Sequence, residues 1–421
     1  MRVSRNPRQI AFEILFEVEF NAQYSNLLLS RTLRDVELPE RDKGFVTELV
    51  YGTLRQRGRC DGAIARCADR KLSEIDAKVL IVLRLGAYQL LLLNSPAHAA
   101  VNETVELAKL VAGQSSGSFV NAIMRKLSSL ETYQFENLEE EYSHPIWIIN
   151  AFRDALKEES LVFAQLNADN LGGNATLVAW PDRSTVTELV AEGGEPIPRG
   201  RNAVRIAKNP GLIAAVRERR AGVQDLGSQL VVERFFETDS GGLRWLDLCA
   251  GPGGKAAYLD SLIRNGELVA NEISFERMKL VQQVVRNGKV TNFDGRQMPA
   301  EVGRFDRILI DAPCTGLGAL RRRPEIKWRR QPDDLPGLIA LQQDLLSSAA
   351  KLLKPGGIIG YATCSPHLAE TKWQVRSFLK SHPQFNRLAV TKDQDPDGDM
   401  QLWTFRDDTD SMFLSLLRYA P

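Results

Sequence analysis

The stretch that decides the fold reads Trp245-Leu246-Asp247-Leu248-Cys249-Ala250-Gly251-Pro252-Gly253-Gly254-Lys255. Trp245–Leu248 is a short apolar run suited to a buried strand, and a helical pattern opens at Lys255. Between them lies a glycine-rich turn. Missing Cβ atoms there let backbone approach a ligand, and the helix start offers N–H groups. The turn is not Gly-x-Gly-x-x-Gly, so the dinucleotide fingerprint is imperfect, and no Gly-x-x-x-x-Gly-Lys-Ser/Thr occurs in the chain. Alone, it reads equally as a ligand cradle or as a tight structural turn.

Working outward, Leu268–Ala270 predicts a second strand and Phe275–Asn287 a second helix. Arg307–Ile310 is a further apolar strand. A long helix over Leu335–Leu353 stops at Lys354-Pro355-Gly356-Gly357, and Ile358–Ala362 is another strand. This alternation predicts an α/β, doubly wound, Rossmann-like parallel sheet over residues 236–421. Such sheets bind ligands at the carboxyl ends of their strands. The second strand runs into Asn271-Glu272, where a carboxylate can accept both hydroxyls of a ribose; an acid at a helix start is the plainer reading. Asp294, in Asp294-Gly295-Arg296, can take an adenine amino group or make an Asp-Gly turn. Together with the glycine turn, these ends describe a pocket for an adenosine-bearing cofactor.

Two more strands end in Asp311-Ala312-Pro313-Cys314 and Thr363-Cys364-Ser365-Pro366. A strand-end cysteine is ordinarily inert core. Two of them at the ligand edge, each close to a proline, suit one reaction. C5 of cytosine is a poor nucleophile. A thiolate added at C6 turns C5 into an enamine-like carbon that attacks a methyl sulfonium, and a base then removes the C5 proton so the thiol can leave. The thiolate needs a lowered pKa. Strand position does not say which thiol attacks. Cys249, inside the glycine turn, reads as packing. The run Arg321-Arg322-Arg323-Pro324-Glu325-Ile326-Lys327-Trp328-Arg329-Arg330 follows directly and reads as phosphate contacts plus stacking on a base or ribose.

Residues 1–140 read as a helical bundle: Ile10, Ile14 and Val18 repeat at helical spacing, as do Phe119, Ile123 and Leu127. Asp42, Asp61 and Ser118 stand where N-caps are expected. Acidic Glu131–Glu141 is expected as a linker, and residues 146–235 as a small α+β module with a helix over Ile146–Leu156 and a strand at Ala175–Ala179. With 54 Lys+Arg against 53 Asp+Glu, the net charge is +1, so a nucleic-acid site must be a local patch. Five cysteines and four scattered histidines, in 421 residues, exclude a disulfide framework and give no zinc spacing. The run Val79–Leu93 carries Arg84 and is too short to span a bilayer, and the basic N-terminus is not a signal peptide; a cytoplasmic, monomeric protein is expected.

Three motifs in order, Asp247–Lys255, Asp311–Cys314 and Thr363–Ser365, resemble the Nop/Sun family of RNA cytosine-5 methyltransferases. Val223–Gln229 resembles that family's lead-in to the catalytic sheet. Leu83–Leu90, Val101-Asn102-Glu103 and Phe119–Ala122 look like the NusB-like RNA-binding domain of one subfamily, so the resemblance covers nearly the whole chain. It implies S-adenosyl-L-methionine (SAM) as methyl donor and cytosine C5 of 16S rRNA, free or partly assembled, as target. By position, Cys249, Ala250, Gly251, Pro252, Gly253, Gly254 and Lys255 would wrap the methionine part, Glu272 the ribose and Asp294 the adenine. Asp311 would lie between cofactor and base, with Cys364 as nucleophile and Cys314 assisting release. Ser411 stands where the family usually has glycine, which is expected to alter a turn and not the chemistry, as is the short polar loop Gln394–Gly398. The competing readings are a tRNA substrate, a NusB-type antitermination factor with an inert catalytic domain, and a nicotinamide oxidoreductase, which leaves both cysteines unexplained.

Overall fold

The first helix, Pro7–Phe20, starts where the Asn6 side chain accepts the Arg8 N–H, with Pro7 in its first turn. The computed structural model describes residues 6–93, 95–130, 134–238, 243–390 and 396–420. The chain forms two compact units. The first holds residues 1–153, 158–171 and 320–330; the second holds 154–157, 172–319 and 331–421.

In the first unit, helices Pro7–Phe20, Ser25–Asp35, Glu40–Arg55, Arg57–Cys67, Ala77–Leu91, Ala97–Ala112 and Ser116–Ser128 each bury an apolar stripe. The apolar run expected at Val79–Leu93 is the helix Ala77–Leu91, capped by Asp76 and buried along most of its length. Its Arg84 lies in the core because Asp61 (2.6 Å) and Glu19 (3.0 Å) neutralise it. None of the three expected N-caps holds. Asp42, Asp61 and Ser118 sit inside helices that begin at Glu40, Arg57 and Ser116. Asp61 is an ion-pair partner of Arg84 rather than a cap.

The expected linker at Glu131–Glu141 begins outside the described residues, and its remainder is not free chain. Leu138–Tyr142 is a helix capped by Asn137, and Glu136 and Glu140 pair with Arg66. The expected 146–235 module is divided between the units. Helices Ile146–Leu156 and Glu159–Asn170 go largely with the first unit, because Tyr142 stacks on Phe163 and Asn170 donates to the Tyr142 carbonyl.

The second unit opens with a four-stranded antiparallel sheet: β1 (Ala175–Ala179), β2 (Glu195–Pro196), β3 (Ala203–Ile206) and β4 (Ala221–Val223), in the order β2-β3-β1-β4. The larger sheet follows: β5 (Arg244–Asp247), β6 (Glu267–Asn271), β7 (Lys289–Thr291), β8 (Phe305–Asp311), β9 (Leu353–Thr363), β10 (Phe385–Leu388), β11 (Met400–Gln401) and β12 (Phe413–Tyr419). Its order is β10-β12-β9-β8-β5-β6-β7, with β11 beside β12. The strands from β5 to β9 pair in parallel, while β12 runs antiparallel between β9 and β10, so the sheet is mixed rather than wholly parallel. The helix expected over Phe275–Asn287 ends at Gln282.

Leu246, Ile308, Ile310 and Tyr361 pack on one face of this sheet with Leu345, Leu346 and Ala349 of the helix Leu335–Leu352. Trp245, Leu309 and Ala362 pack on the other with Leu230, Val231, Phe235 and Tyr258. With both faces covered, ligand access is left to the strand ends. Strand order reverses at β5, which pairs with β6 on one side and β8 on the other. The carboxyl ends of these strands are therefore the switch-point crevice.

Candidate active site

At the end of β5 the chain turns through Cys249–Gly253 into the helix Gly254–Leu262. The Ala250 N–H donates to the Asn271 carbonyl at 2.8 Å, which ties the turn to the end of β6. Gly251 has no room for a side chain, since a Cβ would come 2.2 Å from Glu272 Oε2. Gly253 adopts φ +113°, open to glycine but not to most residues. A Cβ on Gly254 would touch nothing closer than 3.9 Å, so the inner rim of the turn faces open space. Pro252 is exposed beside it.

Glu272, 3% exposed, receives the Gly251 N–H (3.0 Å) and the Ser274 N–H (2.9 Å), with Arg277 at 3.6 Å. Asp294 makes the Asp-Gly turn, accepting the Arg296 N–H at 2.9 Å and its guanidinium at 2.7 Å. The Arg296 hydrogen bonds hold its carboxyl below the usual range. Nothing in the sequence sets Asp247 apart from the rest of its loop. Asp247 is fully buried at the end of β5, and neither carboxylate oxygen meets a donor at hydrogen-bond geometry among the described residues. Burial first and Asp311 second push its pKa up to about 8, while the Lys255 charge and the Cys249 N–H pull the other way. A fully buried acid whose oxygens meet no donor at full hydrogen-bond geometry, beside an open glycine turn, suits a ligand with a cationic amino group. The residues present thus fit the amino-acid end of SAM.

Lys255 reaches across the strand ends to Asp311 at 2.9 Å. Burial works against its charge, but Asp311, Cys364 and Asp247 together hold its pKa above the ordinary lysine value. The β8–β9 register, with Asp311 opposite Ala362, sets the two cysteine loops side by side. The Cys314 and Cys364 sulfurs are 3.4 Å apart. The hydrogen bond to Cys364, then burial, keep the Cys314 thiol well above the usual thiol pKa. Burial and the acids around it do the same for Cys249. The Cys364 carbonyl accepts the Gly318 N–H at 2.9 Å, and the Gly318 carbonyl accepts the Ser411 N–H at 2.8 Å. Ser411 therefore lies in the turn that backs the Cys364 loop. Of the loop Gln394–Gly398, residues 394 and 395 lie outside the described residues.

The basic run does something other than expected. Residues 320–330 belong to the first unit, and Glu325, Lys327, Trp328 and Arg329 bond within it. Lys327 is fully buried and donates to the Arg55 carbonyl (2.9 Å) and Asn170 Oδ1 (2.8 Å). Trp328 Nε1 donates to the Leu54 carbonyl at 2.9 Å, and Arg329 to those of Val18 and Gln23. Glu325 accepts the Ser25 N–H and hydroxyl. Val18, Leu54 and Arg55 lie in the last turns of their helices, where carbonyls lack intrahelical donors. Within the expected RNA-facing patch, Lys327, Trp328 and Arg329 thus act on carbonyls at helix ends.

A doubly wound sheet with a glycine turn after its central strand and acids at the neighbouring strand ends belongs to the class of folds that bind nucleotide cofactors at the switch point. The chain belongs to the RsmB/F family: residues 238–418 match the family described as 16S rRNA methyltransferase RsmB/F, and residues 5–129 match the NusB family. A Mycobacterium tuberculosis chain named as a methyltransferase is 40% identical over 443 residues, covering 98% of this chain and 96% of that one. Ribosomal RNA small subunit methyltransferase B of Photorhabdus laumondii is 30% identical, covering 94% of each. The crystal structure of PH0851 superposes with a TM-score of 0.84 at 23% identity, over 99% of this chain and 100% of that one. NSun6 from Pyrococcus horikoshii, solved with SFG, gives 0.58 at 15% identity over 66% and 98%. These two show the shared fold. The protein is an RNA methyltransferase with a NusB domain ahead of its catalytic sheet. Among the described residues no helix is long and apolar enough to cross a membrane.

Proposed function

We propose that this protein methylates C5 of a cytosine in 16S rRNA, as a cytoplasmic monomer acting on free or partly assembled small-subunit RNA. The observation that carries the reading is the pair of thiols 3.4 Å apart at the ends of β8 and β9, beside the Lys255–Asp311 pair. SAM, when bound, supplies an electrophilic methyl group to C5. Asp247 and the glycine turn Cys249–Lys255 would hold its methionine part, Glu272 its ribose and Asp294 its adenine, the last after giving up Arg296. Cys364 adds to C6 as a thiolate; the Lys255 charge near it favours that form. Cys314 keeps its proton and donates to Cys364 in the resting pair. As the C6–S bond breaks, Cys314 gives its proton to the departing Cys364 sulfur and takes the C5 proton in its place, the C5–H electron pair restores the C5–C6 double bond, and Cys364 returns its extra proton to solvent. Asp311, anchored by Lys255, stands between the cofactor edge and the base.

The test incubates wild type, Cys314→Ala and Cys364→Ala with SAM and unmodified 16S rRNA, followed by a denaturing gel. A covalent adduct with Cys314→Ala and none with Cys364→Ala is expected. The reverse pattern would exchange the two roles. No adduct and no methylation in any sample would move the substrate to tRNA or leave an inert RNA-binding chain.

A further inference from the structure

We infer that Glu370 positions Cys314 against Cys364, acting through Thr315, Ser365 and Gln342. This rests on the two-thiol reading above and adds a residue to it. Glu370 ends the short turn Leu368–Glu370, six residues beyond Cys364, and is fully buried. Its Oε1 accepts the Thr315 N–H at 2.8 Å and Gln342 Nε2 at 3.2 Å, and its Oε2 accepts the Thr315 hydroxyl at 2.5 Å. The Thr315 hydroxyl proton is committed there. Its contact with Ser365 Oγ at 3.1 Å is therefore one in which Ser365 donates, while Ser365 Oγ accepts the His367 N–H. Gln342 Nε2 also donates to the Pro313 carbonyl at 2.9 Å, and its Oε1 accepts from Tyr361 and Gln374.

One carboxylate thus gathers the residues on both sides of Cys314, Pro313 and Thr315, and the residue after Cys364. Its donors in this network are a neutral amide, a hydroxyl and a backbone N–H, so they leave its charge in place. After the Cys364 hydrogen bond and burial, the Glu370 charge also acts on the Cys314 thiol in the direction that keeps it protonated. Across the same edge the Lys255 charge interacts with Cys364. The arrangement favours a proton on Cys314 and an anion on Cys364 before attack. Buried side-chain networks of this kind fix a unique geometry when every member is satisfied.

The test has two readouts on the full-length chain. The first is the pH midpoint of Cys314 alkylation by iodoacetamide, read by peptide mass spectrometry in a Cys364→Ser background with and without Glu370→Gln. Removing the buried charge lowers the midpoint by about one pH unit. The second is the covalent adduct on unmodified 16S rRNA with both cysteines present. Glu370→Gln still attacks, builds up adduct, and turns over about tenfold more slowly. Thr315→Val, which keeps the N–H contact and loses the hydroxyl, moves both readouts the same way by less, and serves if Glu370→Gln does not fold. An unmoved midpoint in both variants overturns the assignment. So does a loss of attack and release together with a lowered melting temperature, which is what packing alone predicts. A shifted midpoint with no adduct in any sample, Cys314→Ala included, keeps the positioning role and removes the cytosine-5 chemistry instead.

Discussion

The loop Asp311–Thr315 and the run Arg321–Arg330 lie within twenty residues of each other, and both carry residues that look made for RNA chemistry. They end in different units. The loop stands at a sheet edge with its thiol against a second thiol and its carboxylate on Lys255. The run spends Lys327, Trp328 and Arg329 on carbonyls at helix ends. Residue type does not separate these fates. What separates them is which unsatisfied backbone groups lie within reach. A sheet edge already satisfied by its neighbours leaves side chains for a ligand, whereas helix C-termini consume any donor that arrives.

The contrast can be broken most sharply at Cys364. Cys364→Ala should lose about a thousandfold or more in methyl transfer with little change in melting temperature. A collapse of the melting transition would make the cysteine a packing residue. Lys327→Met is the mirror experiment. It leaves the Arg55 carbonyl and Asn170 without their donor and should cost about 1–3 kcal/mol of stability. The slope of RNA affinity against salt should not change. An unchanged melting temperature with that slope reduced by about one phosphate contact would return the run to the RNA.

A pH series sharpens the same point. Burial pulls the Lys327 pKa from 10.5 down to about 7. Between those values the unfolded chain holds a proton that the folded chain has released, so stability should rise with pH across that window. Burial lowers the His144 pKa as well, adding the same sign below its ordinary 6.5. Denaturant titrations from pH 7 to 10, wild type minus Lys327→Met, should show the rise, and parallel curves would count against a buried lysine. The smallest effect is Trp328→Phe, which loses the bond to the Leu54 carbonyl for about 1 kcal/mol, read as a shifted denaturation midpoint.

The strand ends were legible because glycine, proline and acid punctuation follows apolar runs at the points where β5, β6, β8 and β9 stop. The helices were legible from their apolar period. Positions fixed by distant partners were not. Asp61 resembles a cap until Arg84, twenty-three residues on, claims it. Asp247 is anonymous until burial removes its water. Thr315, Ser365, Gln342 and Glu370 are ordinary polar residues in the sequence and form one network only when β8, β9 and the helix Leu335–Leu352 are in place. The divided 146–235 segment was illegible for the same reason, since Tyr142, Phe163 and Asn170 meet only after folding.

The chain leaves the catalytic unit at residue 319 and rejoins it at 331, and the eleven residues between complete the helical unit. That has a consequence for order of synthesis. A ribosome making this chain releases the seven N-terminal helices long before Glu325 and Lys327 exist, so Ser25 and the ends of two helices lack these partners until then. The helical unit is finished late, by a segment borrowed from the middle of the catalytic sequence. Cutting the gene at the apparent domain boundary would yield a bundle missing its last stitches.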